Sequence, residues 1–140
     1  MPVGHLAVEA VTASPETTIQ ALATTMDEDG IGDVIVTEHE KPVGIVTDRD
    51  IALAYGRGED LDSMTAADLM TENPITIRHD AEDVDLPKRM AEAKVRRIPV
   101  VDEHKHLVGV VSLDDVVAVT GEELKNVATV IEAQSPGYAP

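Results

Sequence analysis

The sequence predicts an α+β fold: two βαββα units related by a pseudo-two-fold axis, their sheets packed face to face. Three observations carry this reading: the chain repeats itself, its β-branched runs come in pairs, and its interior must be aliphatic. Of 140 residues, 43% are hydrophobic but only 1% aromatic, with no Phe or Trp and nineteen Val. Such a core is built from strands of branched side chains. A shift of 65 residues lays VIVTEHEKPVGIVTDRDI (Val34–Ile51) on PVVDEHKHLVGVVSLDDV (Pro99–Val116), with seven identities in 18 pairs. A unit of roughly 55 residues cannot cover both faces of so small a sheet. Two such units can cover each other.

In the first unit, Ile19, Leu22, Ala23 and Met26 fall on one face of a helix that Asp29-Gly30 ends. Strands Val34–Thr37 and Val43–Val46 follow, joined by the polar loop Glu38-His39-Glu40-Lys41. A second helix runs from Thr47 to near Gly56. Residues 56–60 read as linker, and Thr65 caps a short helix reaching Met70. The second unit repeats the order: a strand at Ile75–Ile77, a helix within Ala81–Lys94, strands at Ile98–Val101 and Leu107–Val111, and a helix from Ser112. Pro87 delays or kinks the helix that contains it. Glu122–Ala133 forms a closing helix.

Composition excludes several functions. Eleven basic against 27 acidic side chains give a net charge of −16, the wrong sign for a nucleic-acid duplex or an anionic membrane surface. Without Phe or Trp there is little to stack on single-stranded bases. Without Cys there are no disulfides, Cys-ligated metals or thiol nucleophiles. No apolar run is long enough to span a bilayer, so a cytoplasmic location is expected. A charge this large repels itself at low salt. Near 1 M salt the Debye length shrinks to roughly 3 Å, which suits a protein of a salt-rich, halophilic cytosol.

The sharpest motif is Gly44-Ile45-Val46-Thr47-Asp48-Arg49-Asp50, echoed by Gly109-Val110-Val111-Ser112-Leu113-Asp114-Asp115. Thr or Ser at a helix start with an acid three residues on is close to a capping box. A carboxylate at a helix start also accepts two ribose hydroxyls, and the leading Gly permits close approach to the backbone. Both uses remain open on the same residues. His104-x-His106 offers two imidazoles for a metal, or a plain surface turn. No GxSxG, HExxH or GxxxxGK[ST] is present, and the reading is not an enzyme.

Doubled, and joined by Met70-Thr71-Glu72-Asn73-Pro74-Ile75-Thr76-Ile77 and Arg96-Arg97-Ile98-Pro99-Val100-Val101-Asp102, these motifs resemble a tandem pair of CBS (cystathionine-β-synthase) domains, the Bateman module, from about Val3 to Ala133. The resemblance implies repeat 1 at 1–58, a linker with a short connecting helix at 59–68, repeat 2 at 69–133 and a flexible tail at 134–140. It implies a ligand containing adenosine (AMP, ADP, ATP or similar) as a regulatory ligand, with no required cofactor, held in clefts between repeats and signalled to an unidentified regulated protein. Asp50 and Asp115 would hold ribose hydroxyls, and Thr47 and Ser112 ribose or phosphate. Val11, Thr12, Val34, Ile75, Thr76, Ile77 and Pro99 would face the base. Arg96 and Arg97 would take phosphate in the second copy, where the first has Ile31 and Gly32 and no cation. The family also implies a homodimer, through helices 48–55 and 113–119. The rival reading is a ligand-free dimerisation module whose T/S-x-x-D motifs are only helix caps. A weaker one is a metal-binding module through His104 and His106.

Overall fold

The computed structural model describes residues 1–134 and residue 137. Of the expected tail, therefore, only Gln134 and Gly137 lie among the described residues. Seven strands form two sheets. The first holds β1 (Thr12–Ala13), β2 (Asp33–Glu38), β3 (Lys41–Thr47) and β4 (Thr71–Glu72) in that order; the second holds β5 (Ile77–Arg78), β6 (Arg97–Val101) and β7 (Leu107–Ser112). β1 and β5 pair parallel with β2 and β6, and the other pairings are antiparallel.

The helices end where local chemistry tells them to. Helix α1 (Ile19–Asp29) opens on Thr18, whose hydroxyl accepts the Ala21 N–H, and closes on Gly30 in the left-handed conformation at φ 64°. Helix α2 spans Asp48–Gly56 and α3 spans Ala66–Leu69. Helix α4 (Leu86–Ala93) starts late: a 3-10 turn at Asp83–Asp85 precedes it, and Pro87 sits in the first turn, where a missing N–H costs nothing. The two helices expected after Ser112 are one, α5 (Leu113–Gln134), running unbroken through Gly121.

The repeat is offset differently on its two sides. Asp33↔Thr47 and Val34↔Val46 correspond to Arg97↔Ser112 and Ile98↔Val111. Residues before the hairpin are therefore related by 64, and residues after it by 65. The extra residue lies in the second hairpin. In the first, His39 and Glu40 alone make the turn, with φ of 51° and 65°, the two-residue type I′ form rather than the four-residue loop expected. In the second, Asp102–His106 intervenes, and Asp102 Oδ1 accepts the N–H of both His104 and His106 at 2.9 Å. The identities Val36/Val101, Glu38/Glu103 and His39/His104 are thus matches of letters and not of place.

Each sheet has its own helical core. Val34, Val36 and Val46 pack with Ile19, Leu22 and Met26; Ile98, Val100 and Val111 pack with Leu86 and Met90. Strand alternation turns Ile35 and Pro99 to the opposite faces, yet these too are fully buried. The faces away from the helices are covered, as two sheets packed on each other require.

Packing units and sequence repeats are different stretches. Val3 lies in the second core, and Val3 and Gly4 donate their N–H groups to the Ala81 and His79 carbonyls. Val8 exchanges two backbone hydrogen bonds with Val110 in the second sheet. Conversely Ala66 lies in the first core, and β4 joins the first sheet through Gly44↔Glu72 and Ile45↔Thr71. Each unit is completed by the segment that precedes the other. Among the described residues, no helix is long and apolar enough to cross a membrane.

Candidate functional site

Both T/S-x-x-D motifs are capping boxes. The Thr47 N–H donates to Asp50 Oδ2 at 2.8 Å and the Asp50 N–H to Thr47 Oγ at 3.1 Å. At α5 the Ser112 N–H and hydroxyl both donate to Asp115 Oδ2, at 2.8 and 3.0 Å, and the Asp115 N–H returns to Ser112 Oγ at 3.3 Å. Thr65 and Asp68 repeat the pattern at α3. Capping uses only Oδ2 of Asp50 and Asp115. Oδ1 of each accepts no hydrogen bond among the described residues, and both side chains are half-buried. The cap orients each carboxylate and leaves one of its oxygens uncommitted.

The glycines that open the motifs serve the fold. A Cβ at Gly44 would strike the Met70 side chain, whose Cβ is 2.9 Å away; one at Gly109 would lie 2.7 Å from the Val8 carbonyl oxygen. The close approach that these positions permit is by the exchanged segments, and not by a ligand as the motif suggested.

A cleft of about 660 Å³ opens between the units. The first contributes Ile45, Thr47, Asp48, Arg49 and Asp50 from the β3–α2 junction. The second contributes Lys94, Val95, Arg96 and Arg97 from the α4–β6 junction, and Thr71, Asn73, Pro74 and Ile75 complete the wall. Of the expected site residues, Thr47, Asp50, Ile75, Arg96 and Arg97 come together here. Arg96 and Arg97 line this cleft together with the first unit's Thr47 and Asp50, although Arg97 is also the strand partner of Ser112 in their own unit. Val34 and Ile77 lie in the helical cores, and Pro99, turned to the opposite face of its sheet, is fully buried as well. Thr12 is exposed, while Val11 and Thr76 are half-buried outside this cleft.

The cleft is positive within a negative chain. Arg49, Lys94 and Arg96 form no ion pair among the described residues, although acids outnumber bases 27 to 11. Arg97 donates from Nε to Asp33 Oδ1 at 2.8 Å. Burial holds the Asp33 carboxyl above the usual carboxylate range; Arg97 draws it back and Asp48 pushes it further up. Lys94, missed in the sequence, closes α4 in the left-handed conformation at φ 57°, the place that glycine takes at Gly30. A lysine standing where glycine is easiest was the available signal. His104 and His106 have ring centres 6.2 Å apart, but no group of three or more metal-ligating side chains assembles among the described residues.

Comparison with known proteins agrees with this architecture. The CBS-domain family model matches residues 3–57 and 66–122. An uncharacterised protein of Methanopyrus kandleri, MK0525, is 36% identical over 113 residues; the match covers 79% of this chain but 58% of that one. The CBS-domain protein PAE2072 of Pyrobaculum aerophilum, solved in complex with AMP, superposes with a TM-score of 0.76 at 27% identity, over 82% of this chain and 89% of that one. The CBS-domain pair of protein MJ0100, in complex with 5′-methylthioadenosine and S-adenosyl-L-methionine, gives a TM-score of 0.79 at 27% identity, over 88% and 98%. With the family model matched once in each half and solved relatives superposing over most of the chain, the chain belongs to the CBS-domain family as a tandem pair.

Proposed function

We propose that the protein is a cytoplasmic, non-catalytic sensor of a phosphate-bearing adenosine ligand such as AMP, ADP or ATP, bound in the cleft between the units. One observation carries the reading: the free oxygen of Asp50 on one unit shares a cleft with the unpaired cations Lys94 and Arg96 of the other. A carboxylate held by a cap suits ribose hydroxyls, and guanidinium groups suit phosphate. The apolar wall of Ile45, Pro74, Ile75 and Val95 suits a base. Because the two sides of the cleft belong to different units, occupancy biases how the units pack, and a sensor shifts an equilibrium only through such a difference. PAE2072 with AMP supports the ligand class. The rival reading, helix caps alone, is favoured by Thr65–Asp68, which makes the same box away from this cleft.

Calorimetry of AMP against wild type and Asp50→Asn in molar KCl tests the proposal. The asparagine keeps a cap acceptor for the Thr47 N–H. We expect AMP to bind wild type and to bind the variant at least tenfold more weakly, one charged hydrogen bond being worth about 1.5–3 kcal/mol. No binding at millimolar AMP leaves the cap reading. We further propose a homodimer. Val117, Leu124, Val127 and Val130 are each more than half exposed on α5, and Leu53 is 45% exposed on α2, an apolar surface that monomers rarely leave open.

A further inference from the structure

Arg97 serves two places at once. It lines the cleft, and its Nε lies 2.8 Å from Oδ1 of Asp33, which is outside the cleft wall. The guanidinium reaches the first unit over the bare backbone of Gly32: a Cβ there would lie 3.2 Å from Arg97 Nη2 and 3.1 Å from Asp48 Oδ2. Asp33 opens β2 directly after that glycine, whose carbonyl accepts the Asp48 N–H at 3.0 Å. One corner of the first unit thus receives a cation from the second.

Among the described residues this is the one ion pair between the two packing units. The others join neighbours in sequence or stay within the second unit, as Met1–Glu82 and His79–Glu103 do. The pair is also incompletely compensated. The Asp33 side chain is 16% exposed, and burial raises its carboxyl even with Arg97 beside it. The cation therefore does not fully offset the cost of burying that charge. A phosphate monoester brings a guanidinium more negative charge and one more acceptor oxygen than a carboxylate does. Arg49, Lys94 and Arg96 stand in the same cleft to hold it there.

We infer that Asp33 is a built-in competitor for the ligand's phosphate: it holds Arg97 until a phosphate in the cleft takes the guanidinium from it and loosens the tie between the units. This rests on the nucleotide reading above and adds the residue that sets how strongly the ligand's charge is rewarded. Adenosine, which has no phosphate, leaves the pair intact. The two units therefore register the charged ligand and not the nucleoside.

Calorimetry in molar KCl, where charges out of contact are screened, titrates AMP and adenosine into the 140-residue chain as wild type, Asp33→Asn, Arg97→Ala and the double variant. Asparagine keeps an acceptor beside Arg97 without the charge, and thermal melts confirm the fold. The expected result is that Asp33→Asn binds AMP about threefold or more tightly than wild type, binds adenosine as wild type does, and brings no gain once Arg97 is alanine. A second readout needs no change at Asp33. The Arg97 Nε–H signal in heteronuclear NMR, identified by its loss in Arg97→Ala, should move when AMP is added to wild type and stay in place with adenosine. If AMP binds wild type but Asp33→Asn binds it no tighter, or the gain persists without Arg97, or the Arg97 signal does not move, this inference is overturned and the nucleotide reading stands. If AMP does not bind wild type, both fall.

Discussion

Asp33 and Arg97 occupy equivalent places in the two units and bond to each other, Nε to Oδ1 at 2.8 Å. The pair joins the units beside the cleft, where Asp48 also approaches. Any phosphate that draws on Arg97 draws on a group already committed to holding the two halves together. Under the proposed function, this guanidinium is where occupancy would act on packing.

The buried carboxyl of this pair predicts a pH effect of definite sign. Asp33 is raised by burial, with Arg97 opposing and Asp48 assisting. A folded pKa above the unfolded value means that ionising Asp33 costs more in the native state. Its contribution to stability is full below about pH 3.9 and falls as pH rises through the raised value. In urea melts between about pH 3.5 and 6, Asp33→Asn should lack this fall, gaining on wild type as pH increases. Parallel curves would show that Asp33 titrates no differently on folding.

Arg96 and Arg97 should separate binding from stability. Arg96 is exposed and unpaired, so Arg96→Ala should weaken AMP about tenfold or more, adenosine less than about twofold, and melting hardly at all. Arg97→Ala removes a phosphate contact and also leaves Asp33 without its partner. It should cost about 1–3 kcal/mol of stability at neutral pH in addition to AMP affinity. Calorimetry and chemical denaturation on the same samples check both.

Lys94 should trade stability for function. A residue with a side chain in the left-handed region costs about 1–2 kcal/mol relative to glycine, while Lys94 gives the cleft a cation. Lys94→Gly should raise stability by about 1 kcal/mol and weaken AMP. A variant that melts higher and binds AMP as tightly would remove Lys94 from the site.

Charge and assembly predict a response to salt. With a net charge of −16, the melting temperature should climb by several degrees from about 0.1 M to molar KCl as repulsion is screened. Sedimentation at molar KCl should show a dimer of the 14.9 kDa chain at tens of micromolar. Replacing Leu124 and Val127 with Glu should yield monomer while the fold survives, since neither side chain is buried. A wild-type monomer would contradict the exposed face of α5 as an interface.

Much of the fold was legible because its signals are local. The Ile19–Met26 periodicity, the Gly30 stop, the paired β-branched runs and the Thr65 cap each act within one turn or one strand. Other features were not legible, for physical reasons. One extra hairpin residue keeps the ungapped 65-residue match of letters while displacing β6 by one against β2, so the letters align Val34 with Pro99 when Ile98 is its counterpart by register. Sequence order does not say which junction of one unit stands opposite which junction of the other. Asp50 and Arg96 share a cleft only through the packing of the two units. Gly44 and Gly109 look alike for a ligand or for a crossing chain, and only coordinates reveal Met70 and Val8 against them.

The exchange of entry segments bears on how such a molecule could arise. Val3 completes the second core and Ala66 the first, each from the stretch ahead of the opposite repeat. A chain carrying one repeat would have its own entry segment packed elsewhere and its own sheet edge bare, an invitation to pair with a neighbour. A single repeat would therefore need a partner: two copies would lend each other their leading strands, as in a domain swap. Joined in one polypeptide, the two copies need not be identical, and Arg97 and Asp33, which strict symmetry would make the same residue, are complementary instead.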